Sequence, residues 1–86
     1  MSEQDGDPLP DVDIADVSPM AWRLLRVAAG YNQRAVERAV DDLMQAHVSM
    51  LESGSRGLSR SRRRALLSLY AAELDDRQVR TLVEQF

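Results

Sequence analysis

The stretch from Leu43 to Ser53 carries two sets of side chains at helical spacing: an apolar set of Leu43, Val48 and Leu51, and a short set of Gln45, Ala46, Ser49 and Met50. This pairing suits a helix inserted into the major groove of double-stranded DNA, where each base pair shows its own pattern of donors, acceptors and methyl groups. Such a helix needs one face by which it is held and another short enough to reach base edges. Glutamine can pair twice with adenine, an alanine methyl can touch the methyl of thymine, and a good two-point contact discriminates against the wrong base by about 1–3 kcal/mol. Gln45, Ala46, Ser49 and Met50 are therefore the expected base-contacting residues. Affinity also needs phosphate contacts. Five arginines fall within the nine residues 56–64, the densest basic cluster of the chain. Arg56 follows the candidate helix directly, and Arg60, Arg63 and Arg64 share one side of the next helix more closely than Arg62 does. Gln33 opens an earlier helix, where backbone N–H groups and the dipole favour an anion. The expected phosphate contacts are Gln33, Arg56, Arg60, Arg63 and Arg64.

Other chemistries find little support. The chain has no cysteine, which removes disulfides, thiolate metal sites and thiol nucleophiles. His47 is the single histidine and is expected to be structural. The pairs Asp41-Asp42 and Asp75-Asp76 stand at helix starts, where acids favour the helix dipole. A catalytic carboxylate pair would need a pocket that a small helical chain has little room to form. The loop Gly54-Ser55-Arg56-Gly57 lacks the lysine and the preceding strand of a phosphate-binding P-loop. No enzyme activity, cofactor or metal is expected.

These residues require helices to position them. Ser18 is a good N-cap and Pro19 a good first helical residue. Ala21, Trp22, Leu24, Leu25, Ala28 and Ala29 make a helical stripe, and Gly30 closes it. A second helix is predicted from Gln33, after Asn32 as cap, to about Val40. Asp41-Asp42 forms a turn, with Asp42 as the expected cap of a third helix over 43–53 that stops at Gly54. Ser59 or Ser61 caps a fourth helix holding Leu66, Leu67, Leu69, Tyr70 and Leu74. Asp75 begins a fifth and has capping-box spacing to Gln78, followed by the apolar face Val79, Leu82, Val83 and Phe86. The expected fold is all-α, a compact bundle of about five short helices. Trp22 is the expected core anchor.

Two segments carry a resemblance. Gly30-Tyr31-Asn32-Gln33 precedes and opens one helix, and Val48-Ser49-Met50-Leu51-Glu52-Ser53-Gly54 ends the next. Together they resemble the lambda-repressor-like (Cro, or XRE) family of helix-turn-helix proteins, in which a glycine and a hydrophobic residue precede a helix beginning with Gln. In that family an apolar-Ser-x-apolar-Glu-x-Gly string ends the recognition helix. Leu58-Ser59 and Leu69-Tyr70 are similar to its fourth helix, so the likeness covers about residues 20–72. Glu37 stands where the family usually has a small residue. The link from Gln33 to Val48 is one residue longer than the common pattern, with Asp41-Asp42 in place of a glycine turn. The resemblance implies a helix-turn-helix over about residues 33–53, with base contacts at Gln45, Ala46, Ser49 and Met50. It also implies backbone contacts from the following loop and the start of the next helix.

Charge divides the chain. Residues 1–17 carry six acids and no base, whereas 18–86 carry eleven arginines against eight acids, giving a net charge of −3 that hides a mildly basic body. An acidic, lysine-free composition fits a halophilic or high-GC host. The expected organisation is an acidic, disordered tail over 1–17, a DNA-binding domain over 18–74, and a C-terminal amphipathic helix over 75–86. Within the tail, Val12, Ile14 and Val17 have an alternative role, packing on the first helix. The last helix either closes the core or forms a homodimer through Val79, Leu82, Val83 and Phe86. The chain start is acidic rather than basic, and no apolar run reaches the ~20 residues of a membrane helix, so a cytoplasmic protein with no membrane partner is expected. The function expected from these residues is a sequence-specific DNA-binding transcriptional regulator with double-stranded DNA as partner. The alternative is a helical protein-interaction module, an antitoxin or adaptor, on the same fold.

Overall fold

Apolar residues three and four apart, punctuated by strong caps, leave this chain one way to hide its side chains: helix against helix. The computed structural model describes residues 12–86 and is all-α, with five helices and no strand among the described residues. They are α1 (Pro19–Ala28), α2 (Gln33–Ala39), α3 (Gln45–Ser53), α4 (Arg60–Ala71) and α5 (Asp76–Gln85), preceded by a 3-10 turn at Ile14–Asp16. None is long and apolar enough to cross a membrane.

The helix ends follow from local chemistry. Ser18 Oγ accepts from the Ala21 N–H, Asn32 Oδ1 from that of Ala35, and Ser59 Oγ from that of Arg62, each satisfying an orphan donor of a first turn. Asp75 and Gln78 form the expected reciprocal box at 2.8 and 2.9 Å. α1 and α3 close alike. Tyr31 N–H reaches Arg26 O and Gly30 N–H reaches Val27 O; Ser55 N–H reaches Met50 O and Gly54 N–H reaches Leu51 O. These are Schellman closures, and the residue at their centre must take positive φ, which Gly30 (+89°) and Gly54 (+77°) do without a Cβ clash.

The core joins all five helices. It takes Trp22 and Leu25 from α1, Val36 from α2, Val48 and Leu51 from α3, Leu66, Leu67 and Tyr70 from α4, and Val79 and Val83 from α5. Trp22 meets the Tyr70 ring edge-on at 6.5 Å, and the Tyr31 ring lies 6.1 Å from that of Tyr70, tilted by 47°. α3 packs on both α1 and α2, and α5 packs on α1.

Three expectations need correction, and one open alternative is narrowed. The third helix does not begin at Leu43: Leu43 is buried in the turn, and the helix starts at Gln45. Asp42 does not cap it but takes φ +62°, a left-handed conformation that Asp tolerates better than most residues. Of the residues assigned to a loose tail, 12–17 are ordered against the body. Ile14 and Val17 are buried and their turn packs on α4, which lies nearer to the alternative than to a tail; residues 1–11 fall outside the described part. Finally, Val79 is fully buried and Val83 nearly so, whereas Phe86 is 58% exposed. Val79 and Val83 thus follow the core-closing alternative for the last helix.

Candidate nucleic-acid interface

α3 holds the interface candidates, and its position is fixed at both ends by polar contacts. At its start, the Glu37 carboxylate of α2 accepts from the Gln45 N–H at 2.9 Å, and His47 Nδ1 accepts from the Met44 N–H at 3.0 Å. Two donors of the first turn region are thereby satisfied without a capping Asp or Ser. Because Nδ1 accepts, neutral His47 carries its proton on Nε2. Glu37, which departs from the resembled pattern, thus joins α2 to α3 across the long link. Near its end, Glu52 receives two N–H bonds from Arg26 of α1, at 2.7 and 3.1 Å, with side-chain exposures of 11% for Arg26 and 6% for Glu52. Arg26 also donates to Tyr31 O, and Gln33 Nε2 donates to Glu52 at 3.3 Å. The hydrogen bond to Glu52 raises the Arg26 pKa above its ordinary value, against the opposing effect of burial. Burial, and then the charge of Glu52, push the Tyr70 phenol well up.

With Val48 and Leu51 buried, the opposite edge of α3 faces out. Ala46, Ser49 and Ser53 are exposed; Gln45 and Met50 are half-buried at its margins. The four residues expected to read bases therefore do share one accessible edge. Ser53 is occupied by Met50 O and Ser55 Oγ, while Ser49 and Ala46 present short, uncommitted surface.

The arginines are distributed differently from expectation. Arg63 precedes Leu66, Leu67 and Tyr70 by three, four and seven residues, which places it on the core side of α4. It is half-buried, with a buried Nε that meets no hydrogen-bond partner among the described residues. Arg60 and Arg64 are exposed, but lie on the flank of α4 away from Arg62 at about 100° per residue. Arg62 instead enters a cleft of about 310 Å³ between α3 and α4, together with Arg56, Gly57, His47 and Met50. Of the predicted phosphate residues, then, only Arg56 sits beside the exposed edge on that flank. Gln33 lies on the other flank, its side chain tied to Glu52, in a groove of about 260 Å³ that also holds Arg23, Ser49 and Ser53. Arg23 and Arg62 were not among the expected contacts.

The positions of Arg26 and Glu52, though not of Arg23, carry some trace in the sequence. Arg26 and Glu52 interrupt otherwise apolar stripes, each four residues after a buried residue (Trp22 and Val48). Opposite charges at core-side positions point to an ion pair. Nothing local tells Arg62 from Arg63 until the side of α4 that meets the core is known.

A family model described as a domain of unknown function (DUF8599) matches residues 11–63, more than half of the chain, from the 3-10 turn through the first turn of α4. No curated protein and no solved structure matches the chain.

Proposed function

The chain belongs to the DUF8599 family, and we propose that it is a sequence-specific DNA-binding regulator that lays the exposed edge of α3 into the major groove. One observation carries this reading. Ala46 and Ser49 stand on a helix edge clear of bulk, with Gln45 and Met50 at its margins and arginines beside it. Short side chains let a helix approach base edges closely, and the flanking guanidinium groups supply the phosphate contacts that give affinity. The two ties on α3, Glu37 to Gln45 and Arg26 to Glu52, hold the edge rigidly against α2 and α1, which sequence readout requires.

Selection of bound duplexes from a random DNA pool tests the proposal, followed by titration of Gln45→Ala with Ser49→Ala. The expected result is one enriched sequence, bound about 10- to 100-fold more weakly by the double variant, while binding to unrelated duplex persists. No enrichment from the pool would sink it.

A second reading, an interaction module such as an antitoxin or adaptor, draws on different residues. Met20 and Val27 are both more than half exposed on the outer face of α1, and Ser18 Oγ donates to Phe86 O, which brings exposed Phe86 to the start of that helix. Retained DNA selection by Met20→Ser with Val27→Ser would count against this second reading as the main function.

A further inference from the structure

We infer that Arg23 of α1 and Arg62 of α4 form a two-sided phosphate clamp around α3, so that the ligand is a duplex groove with two phosphate rows and not a single strand. The inference rests on the DNA-binding reading above and specifies how that site engages its ligand.

Ser49 and His47 lie two residues apart on α3 and so project about 160° from one another, at roughly 100° per residue. Each lines a different depression. Ser49 and Ser53 border the groove shared with Arg23; His47 and Met50 border the cleft shared with Arg56 and Arg62. The two arginines therefore stand on opposite flanks of the edge made by Ala46 and Ser49. The charge on each flank is net positive. On the α1 side the one carboxylate, Glu52, is engaged twice by Arg26, which leaves Arg23 as the uncommitted cation. On the α4 side no carboxylate of the described residues lines the cleft. Neither Arg23 nor Arg62 has an acidic side chain within salt-bridge distance among the described residues.

A cation on one flank would serve a single strand or a duplex equally. Cations on both flanks of an inserted helix would each face one of the two phosphate rows that border a major groove about 12 Å wide. Each neutralised phosphate of B-form DNA releases counterions, and the logarithm of affinity falls with that of salt by about 0.9 per contact.

The test uses the full chain, the selected duplex and each of its strands alone. Arg23→Gln and Arg62→Gln are each expected to weaken duplex binding about 3- to 10-fold and to lower the salt slope by about 0.9. Arg64→Gln removes the same charge from the far flank of α4 and should change duplex affinity less than twofold. Arg62→Lys should restore most of what Arg62→Gln loses, and melting temperatures of all variants report whether folding is intact. Phosphate-ethylation interference should lose signal on one strand with Arg23→Gln and on the other with Arg62→Gln. If the wild type binds the duplex but Arg23→Gln leaves affinity and slope unchanged, or both variants lose signal on the same strand, the clamp is wrong while the DNA-binding reading stands. Binding to a single strand as tight as to duplex overturns it likewise. Absence of any DNA binding by the wild type overturns both.

Discussion

Glu52 concentrates more of the site's physics than any other side chain. It accepts from Arg26 twice and from Gln33 once while almost fully buried. Removing one partner of a buried pair leaves the other charge without compensation, and the loss exceeds what the pair itself contributes. Glu52→Ala is therefore expected to cost about 3 kcal/mol in urea unfolding, while Arg26→Met with Glu52→Leu recovers most of that loss. A double variant as unstable as the single one would show that the pair contributes beyond charge compensation. Tyr70 sits close to the same pair and gives a pH signature. The unfolded chain ionises this phenol near 10.0, the folded chain only at higher pH. Above about pH 10 the unfolded state then binds fewer protons than the folded one, so stability falls as pH rises; below it the phenol is protonated in both states and adds no pH dependence. Urea midpoints are expected to drop as pH is raised beyond about 10, and Tyr70→Phe should reduce that drop. An equal decline in the variant would assign the alkaline loss to other groups.

At the scale of elements, the punctuation of the chain was legible and the joints were not. Ser18, Asn32, Ser59 and Asp75 act as the caps expected of them, and Gly30 and Gly54 end α1 and α3, because a cap depends on residues no more than a few positions away. The start of α3 escapes such local reading for the converse reason. Its donor partners are Glu37 from another helix and His47 from within, and neither fits the Asp or Ser pattern by which caps are recognised. The two terminating glycines separate backbone strain from packing. Both have positive φ, but a Cβ on Gly30 would meet nothing within 4 Å, whereas one on Gly54 would lie 3.3 Å from Pro19 Cγ. Gly30→Ala is expected to cost about 1 kcal/mol, and Gly54→Ala about 2 kcal/mol, since only the second must also displace the start of α1. Thermal unfolding of the two variants measures the difference, and equal losses would remove the steric part of the argument.

For the whole molecule, α5 decides between a closed core and an open seam. Val79 is 0% exposed and its helix packs on α1. Val79→Ala should lower stability by about 2 kcal/mol with no change in sedimentation, whereas Phe86→Ala should change stability by less than about 0.5 kcal/mol. A shift in oligomeric state with intact stability in Val79→Ala would return α5 to the role of a dimer seam. The described part measures 35 × 27 × 22 Å, and half-sites of one helical turn lie about 34–36 Å apart. Under the proposed DNA-binding reading, α3 of one copy would enter one groove segment, and reading two half-sites would take two copies.

Helix number and type, the ends set by Ser18, Gly30, Asn32, Gly54, Ser59 and Asp75, and the exposure of Ala46 and Ser49 could be read from residue order, because apolar spacing and capping act within a turn or two of helix; the start of α3 and the end of α4, at Ala71 short of Leu74, could not. Which arginine lies beside α3 could not. Arg60, Arg62, Arg63 and Arg64 are nearly equivalent as a string, and only the docking of Leu66, Leu67 and Tyr70 into the shared core fixed the rotation of α4 that turned Arg62 toward α3 and Arg63 inward. The same holds for Arg23, and for the pairing of Arg26 with Glu52 residue order offers only the core-side charges, because contacts between residues far apart in the chain exist only once burial has brought their helices together.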